Sequence, residues 1–163
     1  MSKSYLISRP SSPYHLSIGA VLINEKSEIC CHYFKEIQGQ KDIYILMRET
    51  IITKENIEDC LHRGLIEEFG ATGKILGFLG NTTTFFEIEK VEVEKTTLYF
   101  LCNLIDQDLN LRSNEDIEFN SEVRWININE IIEIFSNLKI KPDQDELKIL
   151  KRAKKFIEEN KES

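Results

Sequence analysis

Residues 60–72 read CLHRGLIEEFGAT. Ile57, Leu61 and Leu65 recur at i, i+4 and i+8, the spacing of an apolar stripe on one face of a helix. Gly70 stands where a left-handed glycine closes a helix, so the pattern predicts a helix over about 56–69. Gly64 falls inside it, where glycine costs roughly 1 kcal/mol relative to alanine. Glu67 and Glu68 fall near its C-terminal end, where each carboxylate opposes the helix dipole by roughly 0.3–1 kcal/mol. These two costs hint that the positions serve something besides helix formation.

Working outward, HLSIGAVLIN (15–24) and EICCHYF (28–34) are β-branched and apolar and read as a hairpin around Asn24–Ser27. EIQGQKD (36–42) reads as a polar loop, IYILM (43–47) as a short buried strand, and RETIITKEN (48–56) as the lead-in to the helix. Beyond it, 74–80, 82–93 and 96–105 are strand-rich, and 106–121 reads as a long acidic loop. EVRWINI (122–128) is a further strand, 129–138 a short helix capped by Asn129, and 143–160 a last helix. The order β-β-β-α-β-β-β-α-α describes an α/β domain with a mixed sheet and helices packed on it. The expectation is one domain over 1–163, with its core at about 14–138 and a C-terminal helix at about 143–160.

A chain of 163 residues that is 41% hydrophobic and 30% charged has the composition of an ordinary globular protein with a real core. Its net charge of −7 disfavours broad contact with a nucleic-acid backbone or an anionic membrane. If an acidic protein of this kind handles phosphates, a metal ion must mediate the contact. No apolar run reaches transmembrane length and no signal-peptide core is visible at the start, so the expected location is the cytoplasm. Cys30, Cys31, Cys60 and Cys102 show no CxxC spacing and read as buried free thiols.

The stretch ETIITKENIEDCLHRGLIEEFGA (49–71) resembles the box of the Nudix hydrolase superfamily, G-x5-E-x7-R-E-U-x-E-E-x-G-U, where U is aliphatic. Glu55, Arg63, Leu65, Glu67, Glu68, Gly70 and Ala71 fall in register. Two positions depart: Glu49 stands at the opening glycine and Gly64 at the glutamate after arginine. The resemblance extends over about 14–138 and implies a Nudix-type α/β/α sandwich with a mixed β-sheet. It implies hydrolysis of a diphosphate linkage in a nucleoside diphosphate derivative, dependent on Mg2+ or Mn2+. Glu55 and Arg63 are expected to pair as a clamp, Glu67 and Glu68 to hold metal, and Arg63, Glu67 and Glu68 to form the catalytic group. A further acid is expected from the loop before Trp125, with Glu122 the first candidate for the base and Glu118 the second.

The helical spacing alone puts 64, 67 and 68 on one face, with Arg63 one turn from Glu67. On that reading Glu67 and Glu68 share a solvent-open pocket with Arg63 and Glu55. Gly64 removes a carboxylate from the face, which lowers metal affinity and rate. Gly64→Glu is expected to complete an acidic triangle without loss of stability. The alternative is a catalytically weak or inactive Nudix-fold module that binds a ligand or regulates a partner. The expected partner is a small-molecule nucleotide or other diphosphate; a capped RNA end is the one nucleic-acid exception. A homodimer is compatible with the sequence. His15, His32 and His62 lack ligand spacing and read as surface or core residues. Phe85, Phe86, Tyr99 and Phe100 read as sheet core before base-stacking groups, and the lysines of 148–155 read as a solvated face.

Overall fold

A computed structural model describes residues 14–115, 117–138 and 146–161. Strand β1 (Tyr14–Ile23) turns into β2 (Glu28–Ile37) through Asn24, whose side-chain oxygen accepts from the backbone of Lys26 and Glu28, both at 3.0 Å. Asparagine suits this turn because its side chain stands in for a backbone acceptor. Strands β3 (Gln40–Ile45) and β4 (Met47–Thr50) follow, then helix α1 (Ile57–Phe69). Two long strands, β5 (Ala71–Ile88) and β6 (Val91–Gln107), form an antiparallel ribbon. The chain then makes two short 3-10 turns, strand β7 (Glu122–Asn127), and helices α2 (Ile128–Asn137) and α3 (Glu146–Lys161).

Among the described residues the seven strands form one mixed sheet, with the path β3-β2-β1-β6-β5, β4 on β1 and β7 on β2. The β1–β6 pair is parallel and runs from Tyr14 opposite Glu94 to Ile23 opposite Asn103. Alternation along β1 divides the core. Ile18, Ala20 and Leu22 pack with Leu61, Leu65 and Phe69 of α1. Val21 and Ile23 face the other way, toward Ile131 of α2 and Ile149, Leu150 and Ala153 of α3. The result is an α/β/α sandwich, as expected from the sequence. Each fully buried leucine or phenylalanine contributes roughly 1.5–3 kcal/mol, so α1 is held chiefly by its apolar stripe.

Four local expectations are corrected. Residues 36–42 are a tight hairpin rather than a loop: Gln38 and Gly39 have φ of 49° and 78°, the pair of positive angles that matches strand twist. Residues 47–50 pair with β1 from Ser17 to Ala20 rather than merely leading into α1. The stretch 74–88, expected as parts of two strands, is one kinked strand with register shifts at Thr72/Gly73, Ile75/Gly77 and Phe78/Gly80, and the strand expected over 82–93 is cut at Glu89–Lys90, where the chain turns into β6. Helix α2 is capped by Asn127, whose side chain accepts from Asn129 N at 2.9 Å, and not by Asn129. The last helix runs Glu146–Lys161, and 143–145 lie outside the described residues. No described helix is long and apolar enough to cross a membrane.

Candidate functional site

Helix α1 starts at Asn56, whose side chain accepts from Asp59 N at 2.8 Å, with Glu58 and Asp59 placed favourably in the first turn. It ends at Gly70, with φ of 60°, whose N–H reaches Ile66 O at 2.8 Å. These two caps fix where the helix begins and ends, and the stripe of Leu61, Leu65 and Phe69 fixes which side faces the sheet.

Arg63 is the hub of the solvent side. Its Nε and Nη2 donate to the two oxygens of Glu55 at 2.8 and 3.0 Å, a bidentate fork, and Nη2 also reaches Thr50 O at 2.9 Å. Its Nη1 lies 3.2 Å from Glu67 Oε2 and 3.2 Å from Glu49 Oε1. The Arg63 fork, with help from the Ile52 N–H, pulls the Glu55 carboxyl down to about 2. Partial burial pushes Glu49 up from the ordinary carboxylate range, against the pull of Arg63. Three carboxylates thus share one guanidinium, which leaves the group net negative. The expected clamp of Glu55 and Arg63 is present in this geometry, and Glu67 lies beside it.

Glu68 faces the other way. It is 7% exposed, and its Oε2 is 2.8 Å from His32 Nε2, where the shared pocket expected for Glu67 and Glu68 would have kept it on the Arg63 side. The reason is its helical position: one residue beyond Glu67, it points toward β2, where His32 follows Cys30 on the α1 face of the sheet. His32 Nδ1 is 2.7 Å from Ser121 Oγ. Arg112 donates to Ser121 Oγ at 3.1 Å and to the Glu68 carbonyl at 2.7 Å. Burial, aided by the like charges of Arg112 and Arg48, pulls His32 down to about 3, so the ring is neutral. With a carboxylate as pure acceptor, the proton belongs on Nε2 and Ser121 donates to Nδ1. Arg112, Ser121, His32 and Glu68 therefore form a directed line of donors that ends on the carboxylate. Sequence reasoning missed His32, Ser121 and Arg112. The strand period put His32 on the α1 face, but its partners lie 36 and 89 positions away.

Glu122 is not brought to this face. Its backbone neighbour Val123 packs toward α1, so Glu122 points to the opposite side of the sheet, 63% exposed. There it accepts from Arg124 at 2.9 and 3.0 Å, which lowers its carboxyl. The Glu118 side chain lies outside the described residues. Trp125, by contrast, does connect to α1: its Nε1 donates to Gln107, which in turn donates to Phe69 O, both at 3.0 Å. Phe85 is exposed on the β5–β6 ribbon, whereas Tyr99 is core. A cavity of about 140 Å³ bounded by Ser27, Asn127, Lys154 and Lys161 lies on the α2–α3 side and is too small for a nucleotide, which needs roughly 300 Å³ or more.

No three Asp, Glu, His or Cys side chains among the described residues converge as a ready-made cation cage. The donors on the α1 face are carboxylate oxygens, which suit a hard divalent cation. Mg2+ takes one or two carboxylates and completes its shell with water and phosphate oxygens. The donor chemistry fits a cation bound together with a phosphate compound.

A sequence model described as "NUDIX domain" matches residues 13–151. Among solved structures, the MutT protein from Methanosarcina mazei Go1 superposes with TM-score 0.57 at 19% identity, covering 92% of this chain and 97% of its own. A NUDIX hydrolase from Nitrosomonas europaea gives TM-score 0.61 at 12% identity, covering 87% and 89%. The E. coli ORF135 protein, a solution structure, gives 0.56 at 12% identity, covering 91% and 94%. At these identities the likeness to solved structures is one of fold. No curated protein matches the sequence.

Proposed function

Because this chain belongs to the NUDIX domain family, we propose that it hydrolyses a diphosphate linkage in a nucleoside diphosphate derivative or related compound. Its activity depends on Mg2+ or Mn2+. The observation that carries this reading is the Arg63 hub: the Glu55 clamp holds the box in register and leaves Glu67 on an open, net negative face. Glu67 and Glu68 would hold the cation. When bound, it supplies charge neutralisation at the diphosphate and lowers the pKa of water.

The protein's own residues do the positioning. Arg63 locks the rotamers of Glu55 and Glu67 at 2.8 and 3.2 Å. His32 holds one oxygen of Glu68 by donating Nε2–H, an arrangement typical of groups that orient a metal-binding carboxylate. With a net charge of −7, the chain has little attraction of its own for phosphate, so cation and substrate should bind together.

The test is a screen of diphosphate compounds with Mg2+ and Mn2+, read as phosphate released. Turnover abolished by chelation and strongly reduced in Glu67→Gln supports the proposal. One observation favours a second reading, a binding module with little or no catalysis: Glu68 is buried against His32 and position 64 has no side chain. That reading expects diphosphates to raise the melting temperature without being cleaved.

A further inference from the structure

Positions 49 and 64 are fifteen residues apart in the chain and touch in the fold. A Cβ placed on Gly64 would lie 2.8 Å from the Cβ of Glu49 and 2.9 Å from Met47 Sδ. Real Cβ atoms do not approach this closely. At this spacing between β4 and α1, only one of the two positions can carry a side chain. The box pattern has glycine at the first and glutamate at the second; this chain has them reversed. The pair still holds one glycine and one glutamate, exchanged across a single contact.

The exchanged side chain also ends on the same face. Met47 and Glu49 alternate with Arg48 along β4, and Met47 packs in the core beneath α1. Glu49 therefore leaves the strand on the α1 side. Its Oε1 lies 3.2 Å from Arg63 Nη1, the nitrogen that Glu67 Oε2 also meets at 3.2 Å. The backbone N–H of Thr50 donates to the same Glu49 oxygen at 3.0 Å. A packing glycine at 64 would need no acid at 49; any small residue there would serve.

We infer that Glu49 supplies, from strand β4, the carboxylate that helix α1 lacks at position 64, so that Glu49 joins Glu67 on the Arg63 side of the site. This rests on the hydrolase reading above. It also reverses the expectation for Gly64→Glu. The new side chain meets Glu49 instead of open space, and the variant loses stability although glutamate is the better helix former.

The experiment uses the full chain as wild type, Glu49→Gln, Glu49→Gly, Gly64→Glu and the double variant Glu49→Gly/Gly64→Glu. Melting temperature is measured without metal. Mn2+ affinity is measured by EPR, with Mn2+ alone and with methylenediphosphonate. Gly64→Glu should melt about 5 °C or more below wild type, and the double variant should recover most of that loss. Glu49→Gln should stay folded and bind Mn2+ about tenfold more weakly, and the double variant should regain the affinity. Wild-type affinity in Glu49→Gln, or a double variant no more stable than Gly64→Glu, overturns the inference and leaves the hydrolase reading standing. Loss of Mn2+ binding in every protein, wild type included, overturns the hydrolase reading and the donor role of Glu49 with it.

Discussion

His32 and Glu68 meet at 2.8 Å inside the protein, joining the middle of β2 to the end of α1 across 36 positions of sequence. Both are nearly inaccessible to water. Replacing His32 by leucine removes one hydrogen-bond partner from the buried Glu68 carboxylate and one from the Ser121 hydroxyl. The expected loss is about 2–5 kcal/mol, read by denaturant unfolding. Glu68→Gln keeps an acceptor oxygen for Nε2–H and should lose less, about 1 kcal/mol. Equal losses in the two variants would show that the ring is held by packing alone.

The Glu55–Arg63 fork makes stability depend on acid. Arg63 lowers the folded-state carboxyl from the ordinary 4.5 to about 2. Between these values the unfolded chain binds the proton that the folded chain refuses. The contribution is therefore fully present above pH 4.5 and fades as pH falls toward 2. Glu55→Gln removes it, so the melting temperature of the variant should fall less steeply than that of wild type over this window. Parallel curves would mean that the fork adds nothing to folding.

Gly70→Ala should be among the more damaging exchanges of one methyl group. The position is left-handed, with φ of 60°, and the added carbon would strike the Asp108 carbonyl oxygen. The left-handed backbone alone costs about 1–2 kcal/mol for alanine, and displacement of the Asp108 turn adds to it. Calorimetric melting should show a loss of about 5 °C or more. An unchanged melting temperature would mean that the end of α1 and the 108–112 segment move freely past each other.

The four thiols should be silent in the folded protein. Cys30, Cys31, Cys60 and Cys102 are buried, and burial pushes Cys31, Cys60 and Cys102 up to about 12. Reaction with an aromatic disulfide reagent needs an exposed thiolate. Labelling should be slow at neutral pH and complete at all four in guanidinium chloride. Rapid native labelling of Cys60 would reveal opening between α1 and β4, because its Sγ lies against the Glu49 carbonyl.

What the sequence disclosed follows the range of the forces involved. The ends of α1 were legible because Asn56 and Gly70 act on their own backbone neighbours. The two faces of β1 were implicit in its alternation. The turn at Gln38–Gly39 was hidden because glutamine does not advertise a positive φ. Strand β5 looked like two because its glycines coincide with register shifts, not with an end. In the candidate site, the Glu55–Arg63 pair and Glu67 were readable from spacing on one helix. Glu49, His32 and Ser121 were not, since each acts through a contact with a distant segment that no local period encodes. Glu122 misled because strand alternation, not nearness in sequence to Trp125, decides the face it takes.

The parallel pairing of β1 with β6 begins at Tyr14 and Glu94, eighty residues apart. At about 5–20 residues per second of synthesis, the first strand waits roughly 4–16 s for its partner. Hairpin β1–β2, strand β4 and the box helix can all assemble in that interval. The other border of β1 stays unpaired meanwhile, a ready template for the wrong strand. A nascent chain that ends near residue 93 thus exposes this border of β1. Protection of that border matters until β6 emerges to cover it.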